Sequence, residues 1–195
     1  MGDASLTPQY FDDLYAANAD PWNFSESAYE AEKYSASIDM LGPALYERGL
    51  EIGCSIGVLT SRLAKHCRKL LSVDVNERAL SAASVRCAQD TNVRFERMVV
   101  PGEMPAGPFD LIVLSEVGYY WSDADLDLAK TRIAAIGPGA TLELVHFLPR
   151  VAEYKRDGDA VHQAFIDDRR FEVLRSSRAE RYRIDVLRVA VARAS

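Results

Sequence analysis

Glu51, Gly53, Ser55 and Gly57 stand two residues apart in Leu50-Glu51-Ile52-Gly53-Cys54-Ser55-Ile56-Gly57, and Asp74 closes Leu71-Ser72-Val73-Asp74. These types at this spacing suit the holding of a nucleotide. Small residues let the backbone approach a ligand closely, and a helix that follows at once offers unpaired N–H groups. An acid at the end of the second strand is placed to grip a ribose diol. Three further side chains can move protons at or just past strand ends: Glu116, His146 and His162. Glu116 ranks first. His146 lies inside the apolar run Leu144 to Leu148, where a histidine is more often structural. Tyr119, Tyr120 and Trp121 follow Glu116 and suit the apolar face of a sugar ring or any flat ligand.

Two cofactor patterns compete for the turn. A dinucleotide fingerprint needs glycine at its first, third and sixth positions. Counted from Gly53, the third is Ser55 and the sixth Val58, so that pattern fails twice. The S-adenosylmethionine (SAM) pattern, acid-x-Gly-x-Gly-x-Gly, is met with one departure, Ser55, whose hydroxyl is free to bond a ligand. A purely structural corner is the other reading, and Asp74 argues against it.

The elements that must position these residues alternate. Strands are predicted over 48–53, 69–75, 93–98, 109–116 and 139–147, with helices over 58–66, 77–88 (capped by Asn76) and 123–136. A helix over 159–167 and strands over 171–177 and 184–192 close the chain. Alternating β and α predicts a parallel sheet with helices on both faces. Residues 99–108 hold Pro101, Pro105 and Pro108, so no helix joins the third strand to the fourth. Ten extended residues reach roughly 33 Å. Crossing three strand spacings and one strand length takes about 25 Å, so the linker is long enough.

Upstream, residues 7–42 show no strand signal. Thr7 or Ser5 caps a helix through Tyr10, Phe11, Leu14 and Tyr15; Asp20-Pro21-Trp22 breaks it, and a second helix starts near Ser25. The unit is rich in Trp and Tyr and directly precedes the first strand. It reads either as a packing layer or as a lid over the cofactor, with Trp22, Lys33 and Tyr34 facing the site.

The remaining composition narrows the function. With 195 residues, the chain is expected to form one domain: a lid over 1–43 and a core over 44–195. A net charge of −6 without a basic run argues against nucleic acid. No window reaches membrane-span length and no leader is evident at the N-terminus, so no membrane partner is expected. Three cysteines without metal spacing read as reduced thiols in a cytoplasmic protein, with no metal site expected. The partner is then a small-molecule acceptor, and the protein a monomer or small homo-oligomer.

With the glycine turn, Asp74 and two closing strands in place, residues 45–195 resemble a class I SAM-dependent methyltransferase. The resemblance implies a Rossmann-like α/β fold: a seven-stranded, mostly parallel sheet with an antiparallel C-terminal strand. Asp20-Pro21-Trp22, Lys33-Tyr34, Leu114-Ser115-Glu116-Val117, Tyr119-Tyr120, Gly158-Asp159-x-Val161-His162 and Tyr182-Arg183-x-Asp185-Val186-Leu187, with the glycine turn, further resemble the NodS family. That family implies N-methylation of a deacetylated chitooligosaccharide with SAM as cofactor. The acceptor stays open, as do O-methylation of another small natural product and a non-catalytic SAM-binding role. The resemblance further implies that Val75 flanks the adenine, Met98 and Val99 meet its edge, and Ser115 offers its carbonyl to the methionine amine.

Overall fold

The structure, a computed structural model, describes residues 4–191. Two helices lead, α1 (Pro8–Ala17) and α2 (Ala28–Leu41), followed by β1 (Gly49–Ile52) and α3 (Thr60–Leu63). Then come β2 (Leu70–Asp74), α4 (Glu77–Arg86), β3 (Val93–Arg97), β4 (Leu111–Ser115), α5 (Asp123–Ile136) and β5 (Thr141–Phe147). The chain closes with α6 (Gly158–Ile166), β6 (Phe171–Arg178) and β7 (Tyr182–Val189). Ala192, the expected end of the last strand, lies outside the described residues.

The strands form one sheet in the order β3-β2-β1-β4-β5-β7-β6. The pairs from β3 through to β5 are parallel, and β7 runs antiparallel to both β5 and β6. This is the Rossmann-like class I methyltransferase sheet. Strand order reverses between β1 and β4, which opens a crevice at their carboxyl ends.

Period-two alternation divides the core. Leu50, Ile52, Ile112, Leu114, Leu142 and Leu144 pack with Leu126, Ala129 and Ile133 of α5 and Val161 and Phe165 of α6. Leu70, Leu111 and Val113 turn the other way, toward Tyr15 of α1, Tyr34 and Leu41 of α2, Leu63 of α3 and Ala79 of α4. Ser27, Asn76, Ser122 and Asp157 cap α2, α4, α5 and α6 by accepting backbone N–H groups in the first turn. At α1, neither expected cap acts as one. Thr7 makes no side-chain cap bond and Pro8 opens the helix, while the Ser5 hydroxyl is drawn to Asp125.

The helix expected over 58–66 is shorter. One α-turn is followed by a 3-10 turn over Ala64–His66, because the next backbone groups are claimed elsewhere. Tyr46 N donates to His66 O (2.8 Å) and Arg68 N to Tyr46 O (2.7 Å), which pulls the chain into an extended path. The proline-rich linker crosses from edge strand β3 to β4 without a helix. Trp121 Nε1 ties it down at Val100 O (3.0 Å).

One acid on the α2 face of the sheet holds no position in the crevice. Glu143 of β5 accepts from Ser37 Oγ of α2 (2.8 Å), and its other oxygen has no partner. Burial pushes its pKa from 4.5 up to about 8. The folded value exceeds the unfolded one, so stability is full below about 4.5 and declines as pH rises toward 8. Glu143→Gln keeps a partner for Ser37 and abolishes this loss. In thermal melts it should exceed the wild-type midpoint at about pH 9 and differ little at about pH 5.

Candidate active site

A cavity of about 530 Å³ opens at the carboxyl ends of β1, β2 and β4, of the size expected for a small-ligand site. Trp22, Lys33, Tyr34, Glu51, Gly53, Ser55, Asp74, Val75, Met98, Val99 and Ser115 line it, as do Glu116, Tyr119, Tyr120 and Trp121. Gly57, His146 and His162 do not.

One half is built by the turn after β1. Gly53 has φ +85, and a Cβ there would fall 2.1 Å from Val117 Cγ2 and 2.9 Å from the Ser115 carbonyl. Both conformation and space therefore demand glycine. Gly57, at φ +81, is needed for helix packing instead, since its Cβ would press on Ala83 of α4 at 3.0 Å. Ser55 adopts φ 48, a left-handed conformation that costs a non-glycine residue some strain. Its hydroxyl meets Tyr15 Oη of α1 at 2.5 Å, which ties the turn to the N-terminal unit.

Asp74 Oδ2 accepts from Ser55 N (2.9 Å) and Oδ1 from Asn76 N (3.0 Å). Burial raises its pKa while these backbone bonds oppose the rise. The carboxylate is thus oriented by backbone donors, and it lines the cavity where a diol could reach it. Glu51 is held more deeply. Thr60 Oγ1 (2.6 Å) and Ser72 Oγ (2.7 Å) both donate to Oε2, while Oε1 lacks a partner. Burial pushes its pKa up to about 7. A buried acceptor without a donor, on the wall of a cavity, fits a ligand that brings an N–H or an ammonium. A ribose diol, an amine and close backbone approach are the demands of SAM, and these residues meet them.

The other half is dominated by charge. Lys33 of α2 is 1% exposed, and its ammonium bonds Glu116 Oε1. It also lies 2.8 Å from Glu30 Oε2, as an ion pair rather than an aligned hydrogen bond. Burial lowers the Lys33 pKa, but the two carboxylates outweigh it and hold the group above its ordinary value. Burial raises that of Glu30, against the opposing effect of Lys33. The rings of Tyr29 and Tyr34 lie 5.2 and 5.4 Å from the ammonium. Glu116, at φ 58, takes Phe147 N (3.0 Å) and the Tyr119 hydroxyl on Oε2.

The aromatic run after Glu116 faces inward. Tyr154 stacks on Tyr119 at 4.7 Å, covering one face of that ring, and Tyr120 meets it at 4.7 Å in a T-shaped contact. Trp121 braces the linker through Val100. Tyr29, Phe147 and Arg181 form the cavity rim, with the guanidinium 4.3 Å from the Tyr29 centroid. Tyr15, Tyr29, Glu30 and Arg181 were not foreseen from the sequence. Glu30 had one usable signal: it stands three residues before Lys33, on the same face of α2.

Removing Lys33 leaves two carboxylates in a nearly dry pocket. Lys33→Met should lower unfolding free energy by about 3–5 kcal/mol in urea titrations. Adding Glu30→Gln should restore part of that loss.

The profile of the family described as Nodulation protein S (NodS) matches residues 11–136. Nodulation protein S of Sinorhizobium fredii is 32% identical over 108 residues, covering 55% of this chain and 50% of that protein. Its counterpart from Bradyrhizobium diazoefficiens is 31% identical over 128 residues, covering 63% and 60%. The chain thus spans about half to three-fifths of the length of these relatives. The crystal structure of N-methyltransferase NodS from Bradyrhizobium japonicum WM9, in complex with S-adenosyl-L-homocysteine (SAH), superposes with a TM-score of 0.81. It shares 24% identity, and the match covers 93% of this chain and 97% of that one.

Proposed function

The chain belongs to the NodS family, and from that premise we propose that it is a SAM-dependent methyltransferase acting on the free amine of a small amino sugar or deacetylated chitooligosaccharide. The observation that carries this reading is the oriented carboxylate of Asp74 beside the Gly53–Ser55 turn, in a cavity whose far wall bears Glu116.

SAM, when bound, supplies an activated sulfonium methyl for in-line attack. The chain binds, aligns and excludes water. Asp74 holds the ribose hydroxyls, Gly53 admits the backbone close to the ligand, and the Glu51 oxygen without a partner and the Ser115 carbonyl serve the methionine amine. Val75, Met98 and Val99 flank the adenine. Alignment of this kind is worth roughly 7–11 kcal/mol at its ideal limit.

An amine must be neutral to attack. Glu30, Lys33 and Glu116 together carry a net charge of −1 when both acids are ionised, which draws an ammonium into the pocket. Both Glu116 oxygens already hold donors. Glu30, whose pKa burial raises, lines the same cavity and can take the proton. The aromatic rim offers Tyr29 and Phe147 to the apolar face of a sugar.

Isothermal titration should show SAH binding in the micromolar range, and Asp74→Ala should weaken it by about 2–3 kcal/mol. Tight NADH binding with no response to SAH would overturn the assignment. Labelled SAM incubated with a panel of amino sugars and small phenols, read by mass spectrometry, should give an N-methyl sugar. An O-methyl product would move the acceptor class, and binding without transfer would favour a regulatory role.

The helical N-terminal unit acts as a lid in this reading. Tyr15 meets Ser55, Asn76 Nδ2 donates to Asp12 Oδ1 (2.7 Å), and Lys33 pairs with Glu116, so α1 and α2 contact three loops of the site. Ordering a segment costs about 1–2 kcal/mol per residue, which ligand contacts offset. Hydrogen exchange over residues 7–42 should slow when SAH is added. Equal protection with and without it would make the segment a permanent layer of the core.

A further inference from the structure

Three fully buried ionisable side chains lie behind the cavity without lining it: His146 on β5, His162 on α6 and Asp185 on β7. They are joined end to end. Gly118 N donates to His146 Nε2 (3.2 Å), His146 Nδ1 meets His162 Nε2 (3.2 Å), and His162 Nδ1 meets Asp185 Oδ2 (2.6 Å). A backbone N–H can only donate, so His146 Nε2 is the bare nitrogen. Its Nδ1 then carries the proton and donates to His162, whose own Nδ1 donates to Asp185. One assignment satisfies every link, and the chain has a direction. The carboxylate is anchored in turn by Ser176 Oγ and by Arg183 Nε (2.8 Å). Burial holds both imidazoles below their ordinary pKa, which agrees with two neutral rings.

The other end of this chain frames Glu116. His146 takes the N–H of Gly118 and packs edge-on against the ring of Tyr119 at 5.4 Å. It also directly precedes Phe147. Phe147 N and the Tyr119 hydroxyl are the two donors on Glu116 Oε2. Two glycines stand close around His146 and its neighbours. A Cβ on Gly118 would lie 2.5 Å from Val161 Cγ1 and 3.2 Å from His146 Nε2, and one on Gly158 would lie 3.0 Å from His146 Cβ.

We propose that His146 and His162 are positioning residues: with Asp185 they form a one-way hydrogen-bonded relay that fixes the 116–119 turn and so aims Glu116 into the cavity. Its kinetic consequence rests on the methyl-transfer reading, but its geometry does not.

The test compares His146→Gln with His146→Asn in the full chain. Glutamine places an acceptor oxygen where Nε2 stands and keeps the Gly118 bond. Asparagine reaches only the Nδ1 position and leaves Gly118 unpartnered. In the wild type, nitrogen-15 spectra should show both rings neutral and protonated at Nδ1. Gly118 amide exchange should rise about tenfold or more in His146→Asn and stay near wild type in His146→Gln. Turnover should fall about tenfold in the asparagine variant alone, with SAH affinity within about twofold of wild type in both. An Nε2-protonated His146, equal effects of the two substitutions, or SAH affinity falling in step with turnover would each overturn the proposal. If the wild type methylates no acceptor, the methyl-transfer reading fails by itself, and the tautomers and Gly118 exchange still decide the relay.

Discussion

A single buried ammonium, that of Lys33, joins the helical N-terminal unit to the carboxyl end of the sheet. It bridges Glu30 on its own helix and Glu116 just past β4. Charges out of water are tolerated only when they are paired, and here one ammonium holds both carboxylates, so each fixes the others. Glu116 is further held by a backbone N–H and a tyrosine hydroxyl. The position of α2, the left-handed conformation of Glu116 and the inward turn of Tyr119 are parts of one electrostatic arrangement. None of them is independent of the other two.

The cavity divides by the way its polar groups are satisfied. In the Asp74 half, carboxylates accept from backbone and hydroxyl groups and one Glu51 oxygen stays without a partner, a wall poised for donors. In the Glu116 half, the acids are already paired with a cation, and aromatic rings surround the charge. One half therefore suits a diol and an amine held at fixed points. The other suits a ligand that meets paired charge and aromatic rings together. The Ser55–Tyr15 contact and the Asn76–Asp12 bond place α1 across the first half, as Lys33 places α2 across the second.

Behind the site, polar residues inside the protein are arranged to support it. Glu51 is gripped by Thr60 and Ser72, and the histidine relay ends on an aspartate that itself has two further donors. Glu143 lies away from the cavity, with one bond and an oxygen left bare, and its burial adds a dependence of the fold on pH.

Local chemistry by itself determined the frame. Leu50–Gly57 and Asp74 spell out a strand, a tight turn and a second strand that ends in an acid. Alternating apolar periods place the helices and strands, with Asn76 as a cap, and three prolines in the linker forbid a helix between β3 and β4; the second helix, expected near Ser25, begins only after Ser27. Such features depend on residues within a few positions of one another. Only the tertiary structure decided what depends on neighbours distant in the chain. Ser55 bonds Tyr15 rather than standing free, and Gly57 serves the contact with Ala83. His146 and His162 lie in a dry relay because Gly118 and Asp185 come to them from other elements. Glu30 enters the site because α2 lies across the end of β4, where Lys33 must find a counter-charge. Apart from Glu30 and Lys33, no short window of sequence contains those pairs, since the partners are brought together by the sheet order and by the balance of buried charge.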